Sequence, residues 1–135
     1  MIQKPIPKPK KKKKDNRTAT KTLDTLWSKA TKKLAGNKCE VCGKVDTLNS
    51  HHVIGRSNYA LRWEIKNSVV LCANHHKFSR EFSAHNNPVW FDGWLRDNKP
   101  EQYEFLQKPE SRAIKKWNEA TRLEKYEELK AILEE

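Results

Sequence analysis

Apolar residues recur at helical spacing in the first third of the chain. A helix from Thr20 to a left-handed cap at Gly36 is predicted by four such residues at steps of four, three and four: Leu23, Trp27, Ala30 and Leu34. Their stripe provides one side of a hydrophobic core. We interpret this segment as a packing helix that takes no part in chemistry.

The middle of the chain changes from helical to strand-like spacing. Residues 47–54 and 68–71 are predicted to be strands, separated by a loop that begins at Gly55 and Arg56. After Cys72 the sequence favours a helix, in which Phe78 and Phe82 lie four residues apart and face the core. The order strand, loop, strand, helix predicts an α+β fold with helices on either side.

Three further helical starts follow. Asn87 and Pro88 form a cap and first turn, and Pro100 begins a second helix that Pro109 ends. The last helix is predicted from Ser111 onward, and its six basic and six acidic residues leave it neutral. This neutral helix is therefore a poor candidate for binding DNA. Two roles remain open for this helix: it packs within the chain, or it forms an interface with a second copy or another protein partner.

Composition and charge narrow the class of protein. Of the 135 residues, 36% are hydrophobic and 33% charged, so the core is small. A core of this size needs additional stabilisation, such as a disulfide or a structural metal. The net charge is +11, and residues 1–17 hold eight basic residues against one acidic residue. This division predicts a disordered basic tail at residues 1–19, a domain at 20–98 and a helical arm at 99–135. A basic chain of this kind fits a polyanionic partner such as DNA.

No apolar run long enough to cross a membrane occurs in the sequence, and the N-terminus lacks the apolar segment of a secretory signal. We therefore expect a cytoplasmic protein in a reducing compartment, where thiols stay free to bind metal. The small size and basic tail suit a phage or mobile-element product, which would place it in the host cytoplasm.

All three cysteines and all five histidines lie between residues 39 and 85. Two pairs share the same two-residue gap, and 29 residues separate the pairs, which are Cys39 with Cys42 and Cys72 with His75. Three thiolates and one imidazole complete a tetrahedron and leave no open position for water. The spacing therefore predicts a structural Zn²⁺ site.

A second group of residues remains outside that site: His51, His52, Asn67 and His76. Their order of histidine, asparagine and histidine, interleaved with the zinc spacing, resembles the HNH endonuclease family over roughly residues 39–82. The resemblance implies a small zinc-stabilised ββα-metal core, also called a His-Me finger, and hydrolysis of DNA phosphodiester bonds with a single catalytic ion.

The resemblance also implies a role for each matching residue. His52 corresponds to the general base that activates the attacking water, and Asn67 to the asparagine that fixes the loop between the strands. His51 and His76 correspond to ligands of one Mg²⁺ or another divalent cation. A third ligand found in some members would fall at Arg80, where arginine cannot bind a cation, so water would fill that position or Arg80 would contact phosphate. His85 is too far along the chain to assign.

Basic residues near this group are candidates for DNA binding: Arg56, Arg62, Lys66 and Arg80. Solvated loop charges are the alternative for the three that precede Asn67. Residues 61–63, followed by Asn67 and the Cys72 pair, bear a shorter resemblance to the NinG/Rap group of phage recombination nucleases, which act on branched DNA such as Holliday junctions. A noncatalytic zinc-stabilised DNA-binding module and a zinc-binding interaction protein are the alternatives to a nuclease.

Overall fold

The computed structural model describes residues 3–8, 15–113 and 115–135. Across these residues the chain forms four α-helices and one two-stranded antiparallel sheet, which confirms the predicted α+β class. The elements in chain order are α1 (Thr20–Leu34), β1 (Leu48–His52), β2 (Ser68–Cys72), α2 (Pro88–Asn98), α3 (Pro100–Gln107) and α4 (Glu119–Glu134). Residues 3–8 have no regular secondary structure, and the lysine run at residues 10–14 lies outside the described part of the chain.

The two strands pair so that Leu48 lies opposite Cys72 and His52 lies opposite Ser68. All five residues of β2 are buried, as expected for a short run of β-branched and apolar residues inside a small core. Successive side chains on a strand point to opposite faces, so the neighbours His51 and His52 face different parts of the molecule. This alternation gives the two histidines different surroundings.

Helix α1 packs against both the sheet and α4. One cluster of buried residues joins α1, α4 and the loop between the strands: Leu23, Trp27, Ala30, Trp63 and Leu129. The Ser50 hydroxyl on β1 donates to the Ser28 carbonyl on α1 at 3.0 Å, which fixes the helix beside the strand. Leu34 was expected in this stripe but is exposed, because it lies in the last turn, where the helix ends. Gly36 follows at φ 76°, the left-handed cap that the sequence predicts.

Helix α4 begins at Glu119, eight residues later than predicted. Residues Pro109–Arg112 form a short 3-10 turn instead, and Asn118 then caps α4 by accepting from the Thr121 amide at 2.8 Å. The predicted arm is attached to the domain, because Leu129 is fully buried against α1. Packing within the chain is thus observed for this helix, while the alternative of dimerisation or docking to a protein partner stays open.

The N-terminal segment joins the fold earlier than the predicted end of the tail at residue 19. Thr18 is buried, its hydroxyl donates to Glu119 at 3.0 Å, and its carbonyl accepts from Arg122 at 2.9 Å.

No helix among the described residues is long and apolar enough to cross a membrane.

A second buried cluster surrounds the cysteines and includes Val69 and Leu71 of β2 together with Phe91, Leu95 and Leu106 of α2 and α3. The starts of both helices are as predicted. Asn87 caps α2 by accepting from the Trp90 amide at 3.1 Å, and prolines occupy the first turns of α2 and α3.

The helix predicted after Cys72 is wrong in length and orientation. The segment Asn74–Phe78 forms a single π-helical turn, and the chain becomes extended at Ser79. Phe78 and Phe82 are 74% and 49% exposed rather than buried. The reason is local, because the Ser79 and Ser83 hydroxyls bond backbone groups of this segment and close a turn where the helix would have continued.

Candidate metal centres

The cysteine cluster is assembled from two turns held together by backbone hydrogen bonds. Around the first turn the Cys39 amide donates to the Lys44 carbonyl and the Gly43 amide donates to the Cys39 carbonyl, both at 2.8 Å. Gly43 has φ 78°, a conformation that glycine adopts at no steric cost. Glu40 then docks this turn on β2, since its amide donates to the Val70 carbonyl and its carboxylate accepts from the Val70 amide.

The four predicted zinc ligands converge. Cys39, Cys42, Cys72 and His75 place their ligand atoms within 4.8 Å of one another. The Cys42 and Cys72 sulfurs are 3.8 Å apart, and His75 Nδ1 lies 3.3 Å and 3.9 Å from the Cys72 and Cys39 sulfurs. A tetrahedral zinc site separates two sulfurs by about 3.8 Å and a sulfur from a nitrogen by about 3.6 Å. The cluster can therefore hold a metal ion, and its donors and dimensions fit zinc.

The surroundings of Cys39 favour a thiolate. Burial alone would raise the pKa of this thiol, but hydrogen bonds from backbone groups of Cys72, Cys42 and Val41 lower the pKa below its ordinary value. The thiolate is the form that binds metal. The cysteines are free rather than disulfide-bonded.

A second cluster contains only histidines. His51, His76 and His85 bring their ring nitrogens within 4.8 Å of one another, and Nε2 of His76 lies 3.1 Å from Nε2 of His85. Two imidazole nitrogens bound to one ion at about 2.0–2.1 Å are separated by about 2.9–3.4 Å. The structure thus joins the predicted ligands His51 and His76, and it adds His85.

His85 was not assigned from the sequence because the preceding segment was expected to continue as a helix. Instead the chain turns back after Ser79, so that the Ala84 amide donates to the His75 carbonyl at 2.8 Å and the His85 amide to the His76 carbonyl at 3.1 Å. The resemblance puts a third ligand position at Arg80, where water would bind or Arg80 would contact phosphate. In the structure Arg80 is exposed, and the third imidazole of the cluster comes from His85.

Both predicted ligands in the histidine cluster are neutral at neutral pH. Burial, followed by the proximity of the other histidines, lowers the pKa of His51 to about 3. Burial, His85 and Lys77 lower the pKa of His76 to about 4. A neutral imidazole offers a lone pair to a cation, so the cluster is ready to bind a metal ion near neutral pH.

His52 lies beside this cluster but does not belong to it. Its ring stacks on Trp27 of α1 with centroids 3.8 Å apart, and its Nε2 donates to the Arg62 carbonyl at 2.9 Å. Trp27 is itself fixed by donating from its indole nitrogen to the Glu64 carbonyl at 2.9 Å. Helix α1 thus contacts His52 through Trp27, in addition to packing on the core.

The two histidine environments open into one cavity of about 410 Å³, whose lining includes His51, His52, His76, His85 and Arg56. Burial is the main cause that lowers the pKa of His52, and the nearby Arg56 and Arg62 lower it further. The Arg62 carbonyl and Asp24 raise the pKa of His52 and so partly offset these effects.

Asn67 is fully buried and fixes the loop between the strands. Its side-chain oxygen accepts from the Ile54 amide at 2.7 Å, and its side-chain nitrogen donates to the carbonyls of Ile54 and Leu61 at 2.9 Å and 3.0 Å. An amide side chain provides an acceptor and two donors at once, whereas a carboxylate has no donor and a hydroxyl has only one. Its observed contacts are with the backbone of the loop that leads to Arg62.

We expect Asn67→Ala to destabilise the protein by about 3–5 kcal/mol, because three hydrogen bonds are lost and buried backbone groups are left without partners. Asn49→Ala is the matched control, since Asn49 is exposed on β1. Urea unfolding followed by circular dichroism measures both. Equal midpoints for the two variants would contradict a structural role for Asn67.

The predicted DNA-binding residues are divided among different surroundings. Arg56 is exposed at the histidine cavity, whereas the Arg62 guanidinium forms a two-pronged ion pair with Asp24 at 2.8–2.9 Å. The Lys66 ammonium lies 4.7 Å from the Phe105 ring and borders another cavity. Of these three residues, Arg56 is the one placed beside the histidines with an exposed side chain, and Arg62 serves to position α1 and the loop.

A scan against models of known protein families, a search of curated proteins and a search of solved structures each find no match to this chain. The functional conclusion therefore depends on the geometry of the two clusters and of His52.

Proposed function

We propose that this protein is a metal-dependent DNA endonuclease that hydrolyses phosphodiester bonds with an HNH-type ββα-metal core. The observation that carries the proposal is the position of His52 beside the three-histidine cluster. His52 lines the same cavity as the cluster and directly follows His51 on β1. A general base next to a cation site is the pairing that hydrolysis of a phosphodiester needs. The basic net charge of +11 supports a nucleic-acid substrate.

His52 is the general base in this proposal. The bond from Nε2 to the Arg62 carbonyl places the ring proton on Nε2, which leaves the lone pair of Nδ1 free. Nδ1 then takes a proton from the water that attacks phosphorus. Trp27 holds the ring plane by stacking, and Asn67 holds the loop that supplies the Arg62 carbonyl.

The histidine cluster binds the catalytic ion in this proposal, with His51, His76 and His85 as ligands. When bound, a divalent ion there polarises the phosphate and stabilises the leaving 3′-oxygen. The donor set does not favour the Mg²⁺ that the resemblance suggests, because the described ligands are imidazoles and Mg²⁺ prefers oxygen donors. Imidazole suits transition-metal ions such as Zn²⁺ or Ni²⁺.

The remaining groups support the site. The cysteine cluster holds a structural zinc that fixes the turn carrying His75 and His76, and Arg56 contacts the phosphate beside the cut. This assignment leaves the choice between a linear and a branched DNA substrate to experiment.

Cleavage of supercoiled plasmid by the purified protein tests the proposal. We expect nicking with Ni²⁺, Co²⁺ or Zn²⁺, weaker nicking with Mg²⁺ or Mn²⁺, and none in EDTA. His52→Ala is expected to lower the rate by about 10²–10⁴-fold, the usual contribution of a positioned general base. Zinc content measured on the same samples confirms that the variant keeps its structural metal.

A zinc-loaded protein that shifts DNA on a gel but cuts neither plasmid nor branched DNA in any ion would overturn the nuclease assignment. The noncatalytic DNA-binding module would then be the better conclusion.

The pH dependence of cleavage follows from the lowered pKa of His52. A general base acts in its neutral form, so activity is retained above its pKa and lost below it. Because burial lowers this pKa below 6.5, we expect cleavage to persist at pH 6.5 and to fall only at more acidic pH. Single-turnover rates at saturating Ni²⁺ measure the profile. A half-maximal rate at pH 7 or above would contradict the assignment of His52.

A further inference from the structure

We propose that a basic groove next to the histidine cavity binds an unpaired nucleotide of the substrate, beside the phosphodiester that is cut. This inference deepens the proposed function and rests on it for the nature of the substrate. The groove is a separate cavity of about 700 Å³, and its cationic and aromatic lining residues are Tyr59, Arg112, Lys115, Lys116, Trp117 and Arg122.

The charge of the groove selects an anion. Lys115, Lys116 and Arg112 are exposed, and no acidic residue occurs among the described residues that line the cavity. Both arginines already bond within the chain. Arg112 donates to the Leu106 carbonyl at 2.7 Å. Arg122 donates to the Thr18 carbonyl and the Thr20 hydroxyl, and its guanidinium lies 5.1 Å from the Trp63 ring. A groove with several cations and no compensating carboxylate fits a phosphate backbone.

The aromatic residues add a preference for unpaired bases. Trp117 is fixed, since its indole nitrogen donates to the Tyr59 carbonyl at 2.8 Å and its ring meets Trp63 with centroids 4.9 Å apart. Tyr59 is 49% exposed as a residue, and the Arg62 guanidinium lies 5.5 Å from the centroid of its ring. Exposed rings beside cations are the platforms on which single-stranded bases stack, whereas the bases of an intact duplex cannot reach them.

One loop links the groove to the histidine cavity. Gly55 and Arg56 line the histidine cavity, whereas residues 57–60 line the groove. Three residues of extended chain span at most about 11 Å, so the α-carbons of Arg56 and Tyr59 are no farther apart than about three nucleotide steps of a stacked strand. In this proposal a strand whose phosphate contacts Arg56 places a nearby base on Tyr59.

Fluorescence anisotropy tests the groove with a labelled single strand and with the same sequence as a blunt duplex. The full-length protein is used without added divalent ion, and a gel confirms that the DNA stays intact. We expect Tyr59→Ala to weaken single-strand binding by about five- to 150-fold, the range measured for loss of one base-stacking ring, and to leave duplex binding unchanged. The substitution keeps the Tyr59 carbonyl that binds Trp117.

The charges are tested by salt dependence. Lys115→Ala/Lys116→Ala is expected to reduce the slope of log affinity against log salt by about 1.4 for the single strand. Lys38→Ala/Lys44→Ala is the matched control, because it removes two exposed lysines beside the cysteine cluster and is expected to leave the slope unchanged.

The inference is overturned if Tyr59→Ala binds single strands like the unmodified protein, or if the two double variants behave alike. It is also overturned if polyglutamate displaces DNA from the groove and binds independently of Tyr59, which would assign the groove to an acidic protein. Failure of the proposed function is distinguishable, because binding is measured without cleavage. Tyr59-dependent binding without cleavage would contradict the nuclease alone, and cleavage with unaltered Tyr59→Ala binding would contradict the groove alone.

Discussion

A Cys72→Ser variant is expected to lose its metal and its folded structure together. Cys72 is buried at the end of β2, and its sulfur lies 3.8 Å from that of Cys42 and 3.3 Å from His75 Nδ1. Binding of a structural zinc contributes on the order of 10–16 kcal/mol in small zinc-finger peptides. A whole domain is typically stable by only about 5–15 kcal/mol, so a small core cannot compensate for that loss.

Circular dichroism on heating, with zinc content measured on the same sample, checks this prediction. We expect no cooperative transition for Cys72→Ser at room temperature and above. His76→Ala is the matched control, since His76 is next to a zinc ligand in the chain but belongs to the other cluster, and it should melt cooperatively with zinc bound. Chelator-treated protein should refold with Zn²⁺ and not with Mg²⁺. A zinc-free Cys72→Ser protein that melts like the unmodified chain would exclude a structural metal.

His76→Ala is in turn expected to lose cleavage while it stays folded. The His76 Nε2 atom lies 3.1 Å from that of His85, so its removal leaves two of the three clustered imidazoles. A catalytic ion supplies several kcal/mol of transition-state stabilisation, and its loss would lower the rate on the order of a thousandfold.

Single-turnover cleavage at a fixed Ni²⁺ concentration measures this effect. Phe78→Ala is the matched control, because Phe78 lies in the same π-helical turn, is 74% exposed and is not among the described residues that line the histidine cavity. It should cleave at nearly the unmodified rate. If His76→Ala cleaves as fast as Phe78→Ala while its zinc content is unchanged, the histidine cluster is not the catalytic metal site.

The features that local spacing determines were predictable from the sequence. The two-residue gaps in both metal-binding pairs require only a tight turn each, and the structure brings all four ligands together. The caps at Gly36 and Asn87 are also local, and both are found as expected. The alternation of β1 separates His51 from His52 whatever the rest of the chain does.

The features that depend on tertiary placement were not predictable. The distance between Trp27 and His52 depends on how α1 docks on the sheet, and a helical stripe alone gives no sign that one of its residues stacks on a histidine. His85 was missed because the four-residue spacing of Phe78 and Phe82 favoured a longer helix. Serine side chains that bond the local backbone outweigh that spacing. The eight residues between His76 and His85 fold back and bring the two histidines together.

The two metal centres are coupled under this proposal, because His75 and His76 are consecutive residues of one turn. Zinc at the cysteine cluster holds the turn from which His76 meets His51 and His85, so we expect the cysteine site to fill first. The first equivalent of zinc should therefore change the circular dichroism spectrum, and only a later equivalent of metal should yield cleavage. A newly made chain would stay harmless to DNA until zinc reached it, so the supply of a structural ion, rather than of the catalytic one, would decide when the enzyme becomes active.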